Sequence, residues 1–96
     1  MKIHILGSAF DDLAKGRSFY EEQGHGIGDY FLDSLISDID SLTLYAGIHG
    51  KVFGYHRMLS DRFPYAIYYK IEAGDPVIYR VLDCRQNPRK TRSALK

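Results

Sequence analysis

The rhythm of apolar and polar positions changes once along the chain, near Lys51, and divides it into a helical first half and a stranded second half. Lys2 to Leu6 alternates loosely and reads as a short edge strand. Phe10, Leu13, Ala14, Arg17 and Tyr20 then recur at helical spacing and predict a helix from Ala9 to Glu22. Ser8 fits its N-cap, and Asp11 and Asp12 fall in a first turn where the helix dipole favours acids. Gly16 costs that helix up to about 1 kcal/mol relative to alanine. Gln23-Gly24-His25-Gly26 ends it, because glycine reaches the left-handed conformations a helix stop needs. Ile27, Phe31, Leu35, Ile39 and Leu42 form a second ladder, with Asp29, Asp33, Asp38 and Asp40 mostly off it. That pattern predicts an amphipathic helix from Gly28 to Leu44, paired with the first as an antiparallel hairpin. Tyr45 to Gly50 is a connector.

Past Lys51 the period falls to two. Val52–Ser60, Phe63–Glu72 and Pro76–Asp83 each read as strands rich in Tyr, Ile, Val and Phe. Asp61-Arg62 and Ala73-Gly74-Asp75 are short enough to close hairpins. On the middle strand, Phe63, Tyr65, Ile67, Tyr69 and Ile71 share the face expected to meet the helices. Ala66, Tyr68, Lys70 and Glu72 share the other, expected to lie open to solvent or a ligand. The tail Asn87–Lys96 reads as a short helix after Pro88 or as a flexible end. The fold class is therefore α+β, in the order β-α-α-β-β-β. An N-terminal strand precedes a helical hairpin packed on a three-stranded antiparallel sheet, as one domain over residues 1–96.

Composition narrows the class. At 96 residues, 45% apolar and 26% charged, the chain is neither disordered nor collagen-like. A single cysteine, Cys84, cannot form an internal disulfide, which points to a reducing compartment and a cytoplasmic location. No apolar run approaches the roughly 20 residues that span a bilayer, so no membrane partner is expected. MKIHILGSAFDDL has no sustained apolar core and does not read as a signal peptide.

Charge changes the picture more. Residues 1–50 carry three Lys/Arg against eight Asp/Glu, and residues 51–96 carry ten against four. From Arg85 onward there are five basic residues and no acid. Such a split suits an anionic partner, either nucleic acid or an acidic protein segment. His56 and Arg57 on the first central strand, Arg62 in the turn, Arg80 on the last strand, and Arg85, Arg89, Lys90 and Arg92 beyond it are candidates to converge on one rim. Tyr68 and Lys70 add an aromatic and a cation on the open face. His4, His25, His49 and His56 are scattered without ligand spacing, so no metal is expected, and no cofactor either. Gly24, Gly26 and Gly28 lack the preceding strand and the spacing of a dinucleotide site and read as a turn. Cys84, at the end of an apolar strand, reads as a small packed hydrophobe.

Several stretches together resemble the RelE/ParE superfamily of bacterial toxins. Ala9-Phe-Asp-Asp-Leu13 leading to Phe19-Tyr-Glu-Glu-Gln23 is similar to its first helix, and Tyr30-Phe-x-Asp-Ser-Leu35 with Asp38-Ile-Asp-Ser-Leu42 to its second. Arg57-Met-Leu-x-x-Arg62-Phe-Pro-Tyr-Ala-Ile-Tyr-Tyr69 carries the strongest likeness, continuing into Val81-Leu-Asp-Cys-Arg85 and Asn87-Pro88. The resemblance implies the toxin of a type II toxin–antitoxin, or plasmid stabilisation, module. Its partner would be a small antitoxin whose acidic or amphipathic C-terminal segment wraps it, and promoter DNA would be reached only through that antitoxin. RelE-like members cut mRNA in the ribosome. They often carry arginine where this chain has Ala66, and tyrosine or histidine near Thr91, whereas Arg85 does match. ParE-like members inhibit DNA gyrase without doing chemistry, and the Phe-Pro-Tyr run is more typical of them. Many of these carry a tryptophan near Lys90 or Thr91, and this chain has none. The resemblance thus implies a gyrase inhibitor first, a ribosome-dependent endoribonuclease as the alternative, and an inactive member that only binds antitoxin as a third. As a nuclease it would use His56, Arg57 and Arg85, without metal. Arg62, Tyr68, Lys70, Arg80, Arg89, Lys90 and Arg92 would bind target or antitoxin.

Overall fold

The computed structural model describes residues 1–96. Strand β1 (His4–Ile5) leads into helices α1 (Gly7–Gln23) and α2 (Ile27–Asp40) and a one-turn helix α3 (Leu42–Tyr45). Strands β2 (Lys51–Val52), β3 (Tyr55–Leu59), β4 (Tyr65–Glu72) and β5 (Asp75–Asp83) follow, and α4 (Pro88–Ala94) closes the chain. The sheet has five strands in the order β1-β5-β4-β3-β2, with β1 parallel to β5 and the other pairs antiparallel. The α+β class and helical hairpin match the expectation; the strand count does not. Val52 to Ser60 was expected as one strand, yet Phe53 and Gly54 both take positive φ (55° and 85°). They form a two-residue turn between Val52 and Tyr55, so one expected strand is a hairpin of two.

Helix α1 presents a slightly different face from the one its spacing suggests. Ala9, Leu13 and Gly16 are buried, while Phe10 is 55% exposed and Arg17 points to Asp29. Gly16 accounts for the rotation: a Cβ there would lie 2.5 Å from the Phe31 ring, so only glycine lets that ring seat against the helix. The second ladder is as expected from Phe31 onward, with Leu35 and Ile39 of α2 and Leu42 of α3 buried, but the single helix expected from Gly28 to Leu44 is broken at Ser41, whose hydroxyl donates to the Asp38 carbonyl at 2.6 Å. The Glu21 carboxylate caps this second helix from the first by accepting the Gly26 and Gly28 amides at 3.2 and 3.0 Å. Those amide bonds hold its pKa below the usual range.

The helices cover one sheet face. Phe31, Leu35, Tyr65, Ile67, Tyr69, Ile78 and Val81 belong to its cluster, and half-buried Phe63 packs on it from the loop before β4. Ile71, expected on that face, is 40% exposed near the strand's end. The opposite face is not open along its length. Ala66 and Tyr68 are 1% and 4% exposed, packed with Tyr55, Leu82 and Leu95. The tail is helical, and Ala94 and Leu95 cover this second cluster. Asn87 starts α4 by accepting the Arg89 amide at 2.9 Å, with Pro88 in its first turn. No helix is long and apolar enough to cross a membrane.

Candidate functional site

The basic residues expected on one rim are divided among separate places. Arg80 is a structural staple. Its Nε and Nη2 donate to the two Asp12 oxygens at 2.7 and 2.8 Å, and its Nη1 to the Ala94 carbonyl at 3.2 Å. The arrangement follows from the short β1, which pairs with β5 only at Val77 and Ile78 and leaves the next backbone groups of that edge unpaired. Ser8 Oγ donates to the Tyr79 carbonyl at 2.7 Å, and the Val81 amide donates to Asp12 at 2.9 Å. Ser8 and Asp12 are therefore edge partners of β5, whereas spacing suggested a helix cap and a first-turn acid. Asp12 in turn raises the Arg80 pKa through its hydrogen bonds.

Arg85 faces the helix side. Its Nε and Nη2 grip Asp83 at 3.0 and 2.8 Å, and Nη2 reaches the Tyr20 phenol at 3.4 Å. The pair pulls the Asp83 pKa down and raises that of Arg85. Beside it lies an apolar groove of about 520 Å³ walled by Phe19, Tyr20, Ile27, Tyr30 and Phe63.

Arg57 faces the α4 side. Its Nε donates to the Tyr68 phenol at 3.2 Å, and its Nη2 contacts Cys84 Sγ at 3.5 Å. The Tyr68 bond raises the arginine's pKa. A cavity of about 270 Å³ opens here, lined by Val52, Phe53, Arg57, Tyr68, Cys84, Gln86, Pro88 and Thr91. Cys84 is exposed at its wall, contrary to the packed position expected of it. The Arg92 guanidinium lies 5.4 Å from the centre of the Phe53 ring.

His56 neighbours Arg57 on β3 and so projects from the opposite face. Its ring stacks on Tyr69 at 5.0 Å, and its Nδ1 lies 2.6 Å from the His49 carbonyl. His49 Nδ1 meets the Tyr69 hydroxyl at 2.5 Å, which also accepts the Gly47 amide. Burial lowers the His49 pKa, helped by nearby His56. The two histidines thus hold the connector before β2. Lys70 lies over the Tyr55 and Tyr79 rings at 4.6 and 5.4 Å. Arg62 is exposed in the β3–β4 turn, and Arg89, Lys90 and Arg92 are exposed on α4. Tyr68 is buried, with only its phenol oxygen engaged by Arg57.

Arg57 lines one cavity and Arg92 lies over Phe53 at its wall; Arg80, Arg85 and His56 are committed elsewhere. Neither a carboxylate nor an imidazole lines the Arg57 cavity, and no group of three His, Cys, Asp or Glu side chains gathers anywhere in the chain. An anion would be attracted there, and the cavity's groups able to pass a proton are the Tyr68 phenol and the Cys84 thiol. Sequence reasoning missed Asp12 and Asp83, the carboxylates that engage Arg80 and Arg85. Asp83, two residues before Arg85, was the legible one.

The path of the chain is shared with a solved structure from a chromosomal ParDE TA system of P. aeruginosa, at a TM-score of 0.71. The match covers 84% of this chain and 92% of that one. This chain has a ParE/RelE-like fold. Identity over the match is 16%, so backbone architecture is what the two share. No family model and no curated protein matches the sequence.

Proposed function

We propose that this chain is the toxin of a type II toxin–antitoxin module and that it arrests growth as ParE-like toxins do, by inhibiting DNA gyrase through binding. A cognate antitoxin with an acidic or amphipathic C-terminal segment would neutralise it in the cytoplasm, and promoter DNA would be reached through that antitoxin. One observation carries the reading. The three residues that a nuclease of this chain would need do not share one face: Arg57 lies on the α4 side, whereas His56, stacked on Tyr69, and Arg85, gripped by Asp83, lie on the helix side. A binder needs no such convergence. Exposed Arg62, Arg89, Lys90 and Arg92 provide cations for a target surface, and the ParDE neighbour's fold supports the class.

The test is a supercoiling titration with purified gyrase and this protein free of antitoxin. Lost supercoiling with accumulated cleaved DNA is the expected result. Unchanged supercoiling from folded, toxic protein would contradict the reading, and ribosome-dependent mRNA cleavage would take its place. A folded protein without effect on growth would leave antitoxin binding as its only retained activity.

A further inference from the structure

The outer edge of β5 is covered by β1 only at Val77 and Ile78. Beyond that point α1 takes over, one backbone group at a time. Ser8 Oγ donates to the Tyr79 carbonyl, and Asp12 accepts the Val81 amide. The Cys84 amide donates inward to the Pro64 carbonyl, so by alternation Val81 and Asp83 turn their backbone groups outward. The Val81 carbonyl and the Asp83 amide are left over. They are an acceptor and a donor two residues apart on one edge, without a hydrogen bond inside the chain.

A cavity of about 330 Å³ lies between α1 and this stretch of edge, with Val81 and Asp83 in its wall. Tyr65 reaches the same cavity from β4. Its side chain is only 8% exposed, and its hydroxyl, 3.4 Å from where a Cβ at Gly16 would stand, has no hydrogen-bond partner in the chain. A buried polar group of that kind calls for a partner. Burial pushes the Tyr65 pKa up to about 12, so the phenol stays neutral, able both to donate and to accept. Phe19, 46% exposed, adds an aromatic wall. The Asp12 and Asp83 carboxylates are already held by Arg80 and Arg85, and Lys15 is the one cation at the cavity without an ion pair.

These features select a compact planar ligand. A peptide strand cannot run along this edge, because Ser8 and Asp12 occupy the neighbouring groups. A flat ring with an amine beside a ring nitrogen satisfies the Val81 carbonyl and the Asp83 amide together, and an aromatic wall suits its π-face. At about 330 Å³ the cavity is at the small end of ligand sites and suits one nucleoside. A nucleic-acid strand needs a basic groove along its backbone, and Lys15 alone does not provide one. We infer that the cavity between α1 and the β5 edge binds a free nucleoside of the adenine type. Its amine donates to the Val81 carbonyl, its ring nitrogen accepts the Asp83 amide, Phe19 packs beside the ring, and the Tyr65 hydroxyl meets a further polar atom. The inference does not rest on what the chain inhibits, and its test can fail while the gyrase result stands.

The test is a two-dimensional ¹H–¹⁵N NMR titration of the full chain, following the backbone amides of Gly16, Val81 and Asp83. The probes are adenosine, inosine and a short single-stranded oligodeoxyadenylate. Inosine has a carbonyl in place of the amine and a proton on the ring nitrogen, so it sets donor against donor and acceptor against acceptor. The expected result is a saturable shift with adenosine, largest at the Asp83 amide and at least about tenfold tighter than with inosine. Phe19→Ala should weaken adenosine by about fivefold or more through lost stacking. Tyr65→Phe, which keeps the ring against Phe31, should weaken it by about fivefold. Equal binding of adenosine and inosine, no saturable shift with adenosine, an Asp83 amide that does not move, or an affinity unchanged in both folded variants would overturn the assignment. Tighter binding of the oligonucleotide, counted per base, than of adenosine would also overturn it and give the surface to a nucleic-acid strand.

Discussion

The two faces of the sheet are built on different scales. Against α1 and α2, twelve buried residues form one cluster, with Tyr20, Phe31, Phe63 and Tyr65 in mutual ring contact. On the other face five residues suffice, and the cover is the seven-residue α4 with Leu95 behind it. The first face joins segments far apart in sequence and supplies most of the buried apolar surface that stabilises the fold. The second is held by Leu95, by the Arg80–Ala94 bond and by a Gln86–Thr91 contact of 3.3 Å. A region with so few buried contacts opens locally before the whole chain unfolds. The Arg57 cavity and the cations of α4 lie on that lighter side, where a partner can adjust the surface at little cost to the core.

The sharpest way to break this contrast is to hollow the larger face. Phe31→Ala should cost about 4 kcal/mol in urea unfolding, because its ring is fully enclosed between Gly16, Tyr20 and Tyr65. Asp12→Ala should cost about 3 kcal/mol by the same measurement, since it strips Arg80 of its carboxylate and the Val81 amide of its acceptor. Leu95→Ala acts on the smaller face. It should cost about 2 kcal/mol, with amide exchange accelerating in α4 while the α2 and β4 amides remain protected.

Alkaline titration separates the faces in another way. Burial pushes the Tyr65 pKa up to about 12, whereas an unfolded tyrosine ionises near 10. Between those values the unfolded chain releases a proton that the folded chain retains, so stability should fall as pH rises from about 10 to about 12. Tyr65→Phe should flatten that slope in urea midpoints taken across the range. Smallest of all, Phe53→Gly should shift stability by no more than about 0.5 kcal/mol, because relief at φ 55° offsets the lost ring.

Those positions also explain how far the chain could be read in advance. The ladder from Phe31 to Ile39 on α2 and the alternation of Tyr65, Ile67 and Tyr69 were legible, because each element buries one broad face. The Phe53-Gly54 turn was not, since a lone Gly54 among β-forming residues also fits a strand and phenylalanine gives no turn signal. Tyr68 and Ala66 were misplaced for a different reason. Alternation assigns residues to a face but does not say what covers it, and the covering helix lies in a short basic tail. The charges were the least legible part. A count of arginines points to one basic rim, whereas partners 68 residues apart, Asp12 and Arg80, appear only once the chain has folded.

The account's central claim is that toxicity comes from binding by a dispersed basic surface and not from a catalytic centre. Growth after induction of Arg85→Ala, His56→Ala and single α4 variants (Arg89→Ala, Lys90→Ala, Arg92→Ala), each checked for folding, tests it most directly. The account predicts graded losses among the α4 variants and no complete loss from His56→Ala or Arg85→Ala. Outright loss of growth arrest in folded His56→Ala or Arg85→Ala, with the α4 variants still fully toxic, would contradict it.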